Sequence, residues 1–194
     1  MPRPKGYDPQ TFRKAAMMAF WKKGYAATSV ADLEEATGLN RRQLFREAKN
    51  KRELFLQALL DFAAISTERD LEVLGREAGL ASIREVLGHL VDQADYDPGR
   101  FGCLVCNTCR EPVAADDPEI GRFVAQHLRK IESAYARGLA RAASDGEIAV
   151  EDEGLRRSSR HLMAIHMSLL LLVRAGEPKA VLEDIAEAAV SSLL

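Results

Sequence analysis

Apolar side chains recur at helical spacing along nearly the whole chain. Phe12, Ala15, Ala16, Ala19 and Phe20 stand at i, i+3, i+4, i+7 and i+8, the stripe of an amphipathic helix with one face on a core. Asp8 before Pro9 supplies an N-cap carboxylate and a proline at the first helical position, and Gly24 supplies the stop. Thr28-Ser29 then opens a short segment with Val30, Leu33 and Ala36 inward, closed by Gly38. Asn40 caps a third helix, with Gln43 placed to reach back to the cap amide and Leu44 as the inward anchor. Asn50 with Glu53 repeats the pattern for a fourth helix, whose stripe is Leu54, Phe55, Ala58, Leu59, Phe62 and Ile65.

Beyond residue 76 the pattern predicts helices at about Ala81–Ala94, Gly102–Glu111, Pro118–Ser144, Glu153–Ala175 and Pro178–Leu193, with Asp-, Pro- and Gly-rich punctuation between them. No strand pattern competes. The expected fold is all-α with about nine helices: an N-terminal three-helix helix-turn-helix module over residues 1–50, then a larger helical domain over 51–194. In the last two helices Leu171 and Leu172 extend one apolar stripe almost all the way round. A helix apolar on most sides needs neighbours on most sides, so pairing with a second copy in a four-helix bundle is expected. A central helix of a monomer is the alternative.

Composition fits a folded protein: 47% apolar and 29% charged residues, net charge −2. The small net charge hides an asymmetry, because residues 1–60 hold 12 Lys and Arg against 6 Asp and Glu. The surplus of positive charge therefore sits on the first third, while the acidic remainder repels phosphate. The third helix concentrates it: Arg41, Arg42, Gln43 and Arg46 fall away from Leu44 around the helix, so guanidiniums and an amide point outward. Such a first turn can read base edges in a major groove. Arg3 and Lys5 precede the first helix as a candidate arm for the DNA backbone or minor groove. The longest apolar run, Leu169 to Val173, is too short to span a bilayer, and no leader pattern opens the chain, so a cytoplasmic location is expected.

The residues Gly24-Tyr25, Thr28 to Leu33, Gly38-Leu39-Asn40, Leu44-Phe45 and Lys49 to Phe55 together resemble the TetR family of transcriptional regulators. Gly102-Cys103-Leu104, Asn107-Thr108 and Glu111 resemble one branch of it. The resemblance implies an all-helical dimer that binds operator DNA and holds a pocket for a small-molecule inducer, most members being repressors released by ligand. Carried over by position, Thr28 and Lys51 correspond to phosphate contacts, and Arg41, Arg42 and Gln43 to base contacts. Asn40, Phe45 and Arg46 complete the implied interface. Phe45 replaces the usual tyrosine and cannot donate a hydrogen bond to phosphate, and Glu47-Ala48 replaces a common His-Phe pair, bringing a negative charge near the duplex.

Cys103, Cys106 and Cys109 lie at i, i+3 and i+6, so on one helix three thiols share a face. Cys103, expected at the helix N-terminus near Arg100, is placed there to favour thiolate. Three readings fit: small apolar fillers of the core, a sensor of electrophiles or oxidants, or a metal site needing a further ligand such as His127. Phe62, Phe101, Phe123, His127, Tyr135, Met163 and His166 are candidates for an inducer pocket wall, or ordinary core. No His-Glu-x-x-His, Gly-x-Ser-x-Gly or phosphate-cradling loop is present, so neither an enzyme nor a resident cofactor or metal is expected. The remaining alternative is a helical protein-interaction module or thiol-redox protein without sequence-specific DNA binding.

Overall fold

The computed structural model describes residues 7–76, 78–96, 99–149 and 151–194; Arg3 and Lys5 lie outside them. Among the described residues every regular element is helical: α1 (Pro9–Ala27), α2 (Val30–Thr37), α3 (Arg41–Glu47), α4 (Lys51–Phe62), α5 (Glu68–Leu74), α6 (Gly79–Asp92), α7 (Leu104–Thr108), α8 (Pro112–Asp116), α9 (Pro118–Ser144), α10 (Asp152–Ala175) and α11 (Lys179–Ser191). A π-helical turn, Ala63–Thr67, joins α4 to α5. The all-α class read from the sequence is what the structure shows, with several helices only one or two turns long.

The N-terminal helices start where their caps close. The Asp8 carboxylate accepts the Thr11 N–H at 2.8 Å, Ser29 and Asp32 form a reciprocal capping box on α2, and Asn40 and Gln43 form another on α3 at 3.0 Å each way. Each cap satisfies backbone donors that the first turn leaves unpaired, worth about 1 kcal/mol. Phe12, Ala16, Met17 and Phe20 pack α1 against Leu54, Phe55 and Leu59 of α4, with the Phe20 and Phe55 rings edge-on at 5.0 Å. Leu33, Leu39 and Leu44 are buried and hold α2 and α3 down. Ala36, expected inward, is exposed. The two leucines on either side of it in sequence suffice to cover that short helix.

Ile65 is a second departure, being 69% exposed although the stripe of α4 points to burial. Leu54, Phe55, Ala58, Leu59 and Phe62 are buried as expected, and the next inward residue is then Thr67, five positions after Phe62. The π turn adds one residue to that helical turn and shifts the register of everything after it. Ile65→Ser is expected to change unfolding free energy by no more than about 0.5 kcal/mol, the range of surface substitutions. A chemical denaturation midpoint lowered as for a core truncation would contradict that register.

The helix expected over Gly102–Glu111 is also shorter, reaching only from Leu104 to Thr108. At its start Gly102 has φ +67°, and a Cβ there would meet the Leu170 carbonyl oxygen at 2.6 Å, so the position requires glycine. At the other end Glu111 is extended (φ −94°, ψ 144°) before Pro112, which opens α8.

The larger body is built around α9 and α10, which pack along each other, with α6 across both and α11 on α6 and α10. Ile83, Leu87, Ile131, Leu139, Leu162 and Leu169 fill the space between them. On the outer side of α10 and α11, Leu171 and Val181 are 44% and 39% exposed.

Candidate nucleic-acid interface and thiol cluster

On α3 the capping box and the buried Leu44 fix which side chains face out. Arg41, Arg42 and Arg46 are exposed, and Phe45 is half-buried beneath the Arg41 guanidinium at 5.7 Å. The Glu34 carboxylate accepts the Arg41 backbone N–H, tying α2 to α3. Asn40 and Gln43 use their oxygens in the cap, which leaves both side-chain NH2 groups free of that exchange as donors. Glu47, flagged as a repulsive charge, accepts a hydrogen bond from the Tyr7 hydroxyl.

Thr28 can offer phosphate only its backbone. Its side chain is buried and its hydroxyl donates to the Gly24 carbonyl at 2.6 Å, because the chain folds back there between α1 and α2. The exposed hydroxyl at the start of α2 belongs to Ser29. Lys51 stands at the start of α4 with its ammonium 4.4 Å from the Tyr25 ring centre, and burial lowers its pKa while Glu111 and Asp32 oppose that shift.

Tyr25 leads from this surface into the body. Gly24, at φ +81°, breaks the helical path of α1, and the turn exposes the Tyr25 and Ala26 N–H groups to the two carboxylate oxygens of Glu111 at 2.9 and 2.8 Å. A Cβ on residue 24 would come within 2.8 Å of that carboxylate. Four residues before Tyr25, Trp21 donates from Nε1 to the Gly102 carbonyl at 2.8 Å and packs edge-on against Phe62 and Phe101. Arg174 of α10 donates to the Phe101 carbonyl at 2.8 Å. The segment containing the cysteines is thus fastened to α1 at both of its ends.

The thiols are not equivalent, in contrast to the shared face that one continuous helix would give. Cys103 precedes α7 as its cap, buried, with its sulfur accepting the Cys106 N–H at 3.4 Å. Cys106 is half-buried and Cys109 is exposed beyond the helix end. A hydrogen bond from the Cys106 thiol, then one from His127, hold the Cys103 pKa well below the ordinary thiol range, and Cys106 is pushed up in turn. The lowering matches the direction expected, but its causes are Cys106 and His127 rather than a helix end and Arg100. Between α7 and α10 lies a groove of about 310 Å³ lined by Cys106, Cys109, Arg110, Met167 and Leu171 among others.

His127 is buried with Thr67 Oγ1 3.5 Å from Nε2 and Phe123 stacked beside it. His166 Nδ1 and the Tyr135 hydroxyl are hydrogen-bonded at 3.1 Å. Burial raises the Tyr135 pKa and lowers that of His166, so the phenol keeps its proton and the imidazole is neutral. Asp70 pairs with His89 Nδ1 at 3.0 Å, and Arg69, which can only donate, faces His89 Nε2. The His89 proton on Nδ1 therefore points at Asp70. Among the described residues no group of three such side chains is placed to hold a metal ion.

Residues 12–58 match the family model of bacterial regulatory proteins, tetR family. The chain is 27% identical to the HTH-type transcriptional regulator YezE of Bacillus subtilis (strain 168) across all of both proteins. It is 31% identical to the HTH-type transcriptional repressor ComR of Escherichia coli (strain K12), over 75% of this chain and 70% of ComR. The chain belongs to the TetR family. It is a DNA-binding transcriptional regulator. Its fold is also that of a cysteine-substituted form of the TetR family regulator CifR, solved with 26-bp operator DNA, at TM-score 0.88 and 22% identity over 99% of this chain and all of that one.

Within this TetR-family regulator the structure brings Cys103, Cys106, Phe123 and His127 together, with His166 and Tyr135 deeper in the same body. Cys109 is set apart on the surface. Trp21, Asp70 and His89 were not singled out in the sequence, because their partners lie 81 residues away for Trp21 and 19 apart for the other two, with no motif linking them. Phe62 and Phe101 flank Trp21. No helix of the described residues is long and apolar enough to cross a membrane.

Proposed function

We propose that this regulator binds a near-palindromic operator as a homodimer, represses from it, and leaves it when a small molecule or thiol-reactive compound acts at the cysteine segment. The observation that carries the reading is the outward row of Arg41, Arg42 and Arg46 on a helix whose caps and buried Leu44 fix its orientation. Arg41, Arg42 and Gln43 read base edges. Asn40, Arg46, Lys51 and the backbone at Thr28 hold phosphates, and Phe45 packs on sugar or a thymine methyl. Residues 1–50 are the DNA-reading unit and 51–194 the receiving one.

Dimerisation is supported by the exposed Leu171 and Val181 on α10 and α11, which a second copy would cover. Release is supported by the fastening of the cysteine segment to α1 through Trp21 and Glu111. Two relatives, ComR and BdcR of Escherichia coli (strain K12), are named transcriptional repressors.

The test is selection of bound duplex from a random library, followed by titration of the selected and a scrambled sequence at rising salt. Affinity for the selected duplex should fall steeply as salt displaces phosphate contacts, while a large preference over the scrambled duplex persists. Equal binding of both duplexes at every salt concentration would refute the reading.

A further inference from the structure

Outside the DNA surface, the densest reactive chemistry is the pair Cys103 and Cys106. Their spacing is Cys-x-x-Cys, with Leu104 and Val105 between. The Cys103 sulfur accepts from the Cys106 backbone N–H at 3.4 Å, so it lies over the first turn of the helix that carries Cys106. His127 completes the surroundings of that sulfur. Cys109 points elsewhere, its thiol directed at the Val105 carbonyl at 3.7 Å. One sulfur is buried, the next half-buried and opening on the groove between α7 and α10.

We infer that Cys103 and Cys106 are a redox-active dithiol that a hydroperoxide closes to an intramolecular disulfide. The Cys103 thiolate attacks the terminal oxygen of the hydroperoxide, forming an S–O bond as the O–O bond breaks. The departing alkoxide takes up the proton that Cys103 released and leaves as an alcohol, or as water when the oxidant is hydrogen peroxide. The Cys106 sulfur then attacks the Cys103 sulfur, the S–O bond breaks, and hydroxide leaves with the Cys106 proton as water. In sum, two thiols and one hydroperoxide give one disulfide, one alcohol and one water, the sulfurs supplying two electrons to the O–O bond.

The preference for Cys103 as attacking sulfur agrees with its depressed pKa, since thiolate is the nucleophile. Its burial selects small oxidants over bulky ones, which meet the exposed Cys109 first. Cys103 caps α7 from extended backbone, and a disulfide to Cys106 fixes the two Cβ atoms about 3.8 Å apart. Closure therefore locks the turn at Cys103, next to the Gly102 carbonyl that Trp21 holds. The dithiol chemistry stands on these contacts; only its effect on DNA rests on the proposed function.

The experiment treats reduced, purified dimer with hydrogen peroxide, blocks remaining thiols with an alkylating agent in denaturant, and weighs the tryptic fragment Phe101–Arg110, which carries all three cysteines. Wild type should pass from three alkylated cysteines to one, with loss of two hydrogens, and Cys109→Ser should show the same loss. Cys103→Ser and Cys106→Ser should abolish it, and Cys106→Ser should instead yield a sulfenic acid on Cys103 that a cyclic 1,3-dione traps. A disulfide that persists in Cys103→Ser, one that links two chains on a denaturing gel, or three thiols still free after peroxide would each overturn the inference. Operator binding followed in parallel separates the two claims: disulfide formed with DNA still bound refutes the redox signal and leaves the dithiol standing.

Discussion

Arg42→Ala keeps the fold and lowers the preference for operator over scrambled duplex by about 1–3 kcal/mol per half-site, roughly five- to 150-fold each, the worth of one bidentate arginine–guanine contact. The fold survives because Arg42 is exposed and has no ion-pair partner among the described residues, so truncation removes no structural contact. The effect concentrates at one base position in each half-site, which distinguishes Arg42 from a phosphate contact whose loss weakens every sequence alike. Competition titrations with duplexes changed one base pair at a time measure it. Undiminished discrimination at every position would remove Arg42 from the reading surface.

Trp21→Phe should affect communication rather than recognition. Phenylalanine keeps the packing against Phe62 and Phe101 but loses the N–H that the Gly102 carbonyl accepts. Leaving that part-buried carbonyl unpaired costs about 1–3 kcal/mol. The reduced protein should still bind operator, since Trp21 lies away from α3, while the dose of thiol reagent needed for release should rise several-fold. Operator binding measured across a reagent series, with a thermal unfolding curve as control, gives both numbers. A wild-type dose response in a variant with lowered stability would show that this hydrogen bond holds structure and carries no signal.

Much of the headpiece was legible in the sequence because its determinants are local. Asp8-Pro9, the cap at Ser29 and Asn40 with Gln43 each act within a few residues, and the caps stand where those residues place them. The long helices α9 and α10 were legible for the same reason, their apolar periods running over many turns. Ile65 was misread because a π turn changes the period without changing the composition. The burial of the Thr28 hydroxyl was not legible because it depends on a kink at Gly24 that lets the hydroxyl reach back one turn. The surroundings of Cys103 were only partly legible: His127 was a candidate beside the cysteines, but it is distant in sequence, and the packing of α7 against α9 brings them together.

The double fastening of the cysteine segment has a mechanical meaning. Gly102 at one end and Glu111 at the other grip α1 at Trp21 and at Tyr25-Ala26, so a change in the pitch of the five-residue α7 has no loose end in which to dissipate and is passed to α1 at two points. Two reading heads serving one duplex have to reach successive major grooves about 34 Å apart. A twist of a few degrees at each pivot, opposite in sense across the dyad, suffices to put both out of step with the double helix at once.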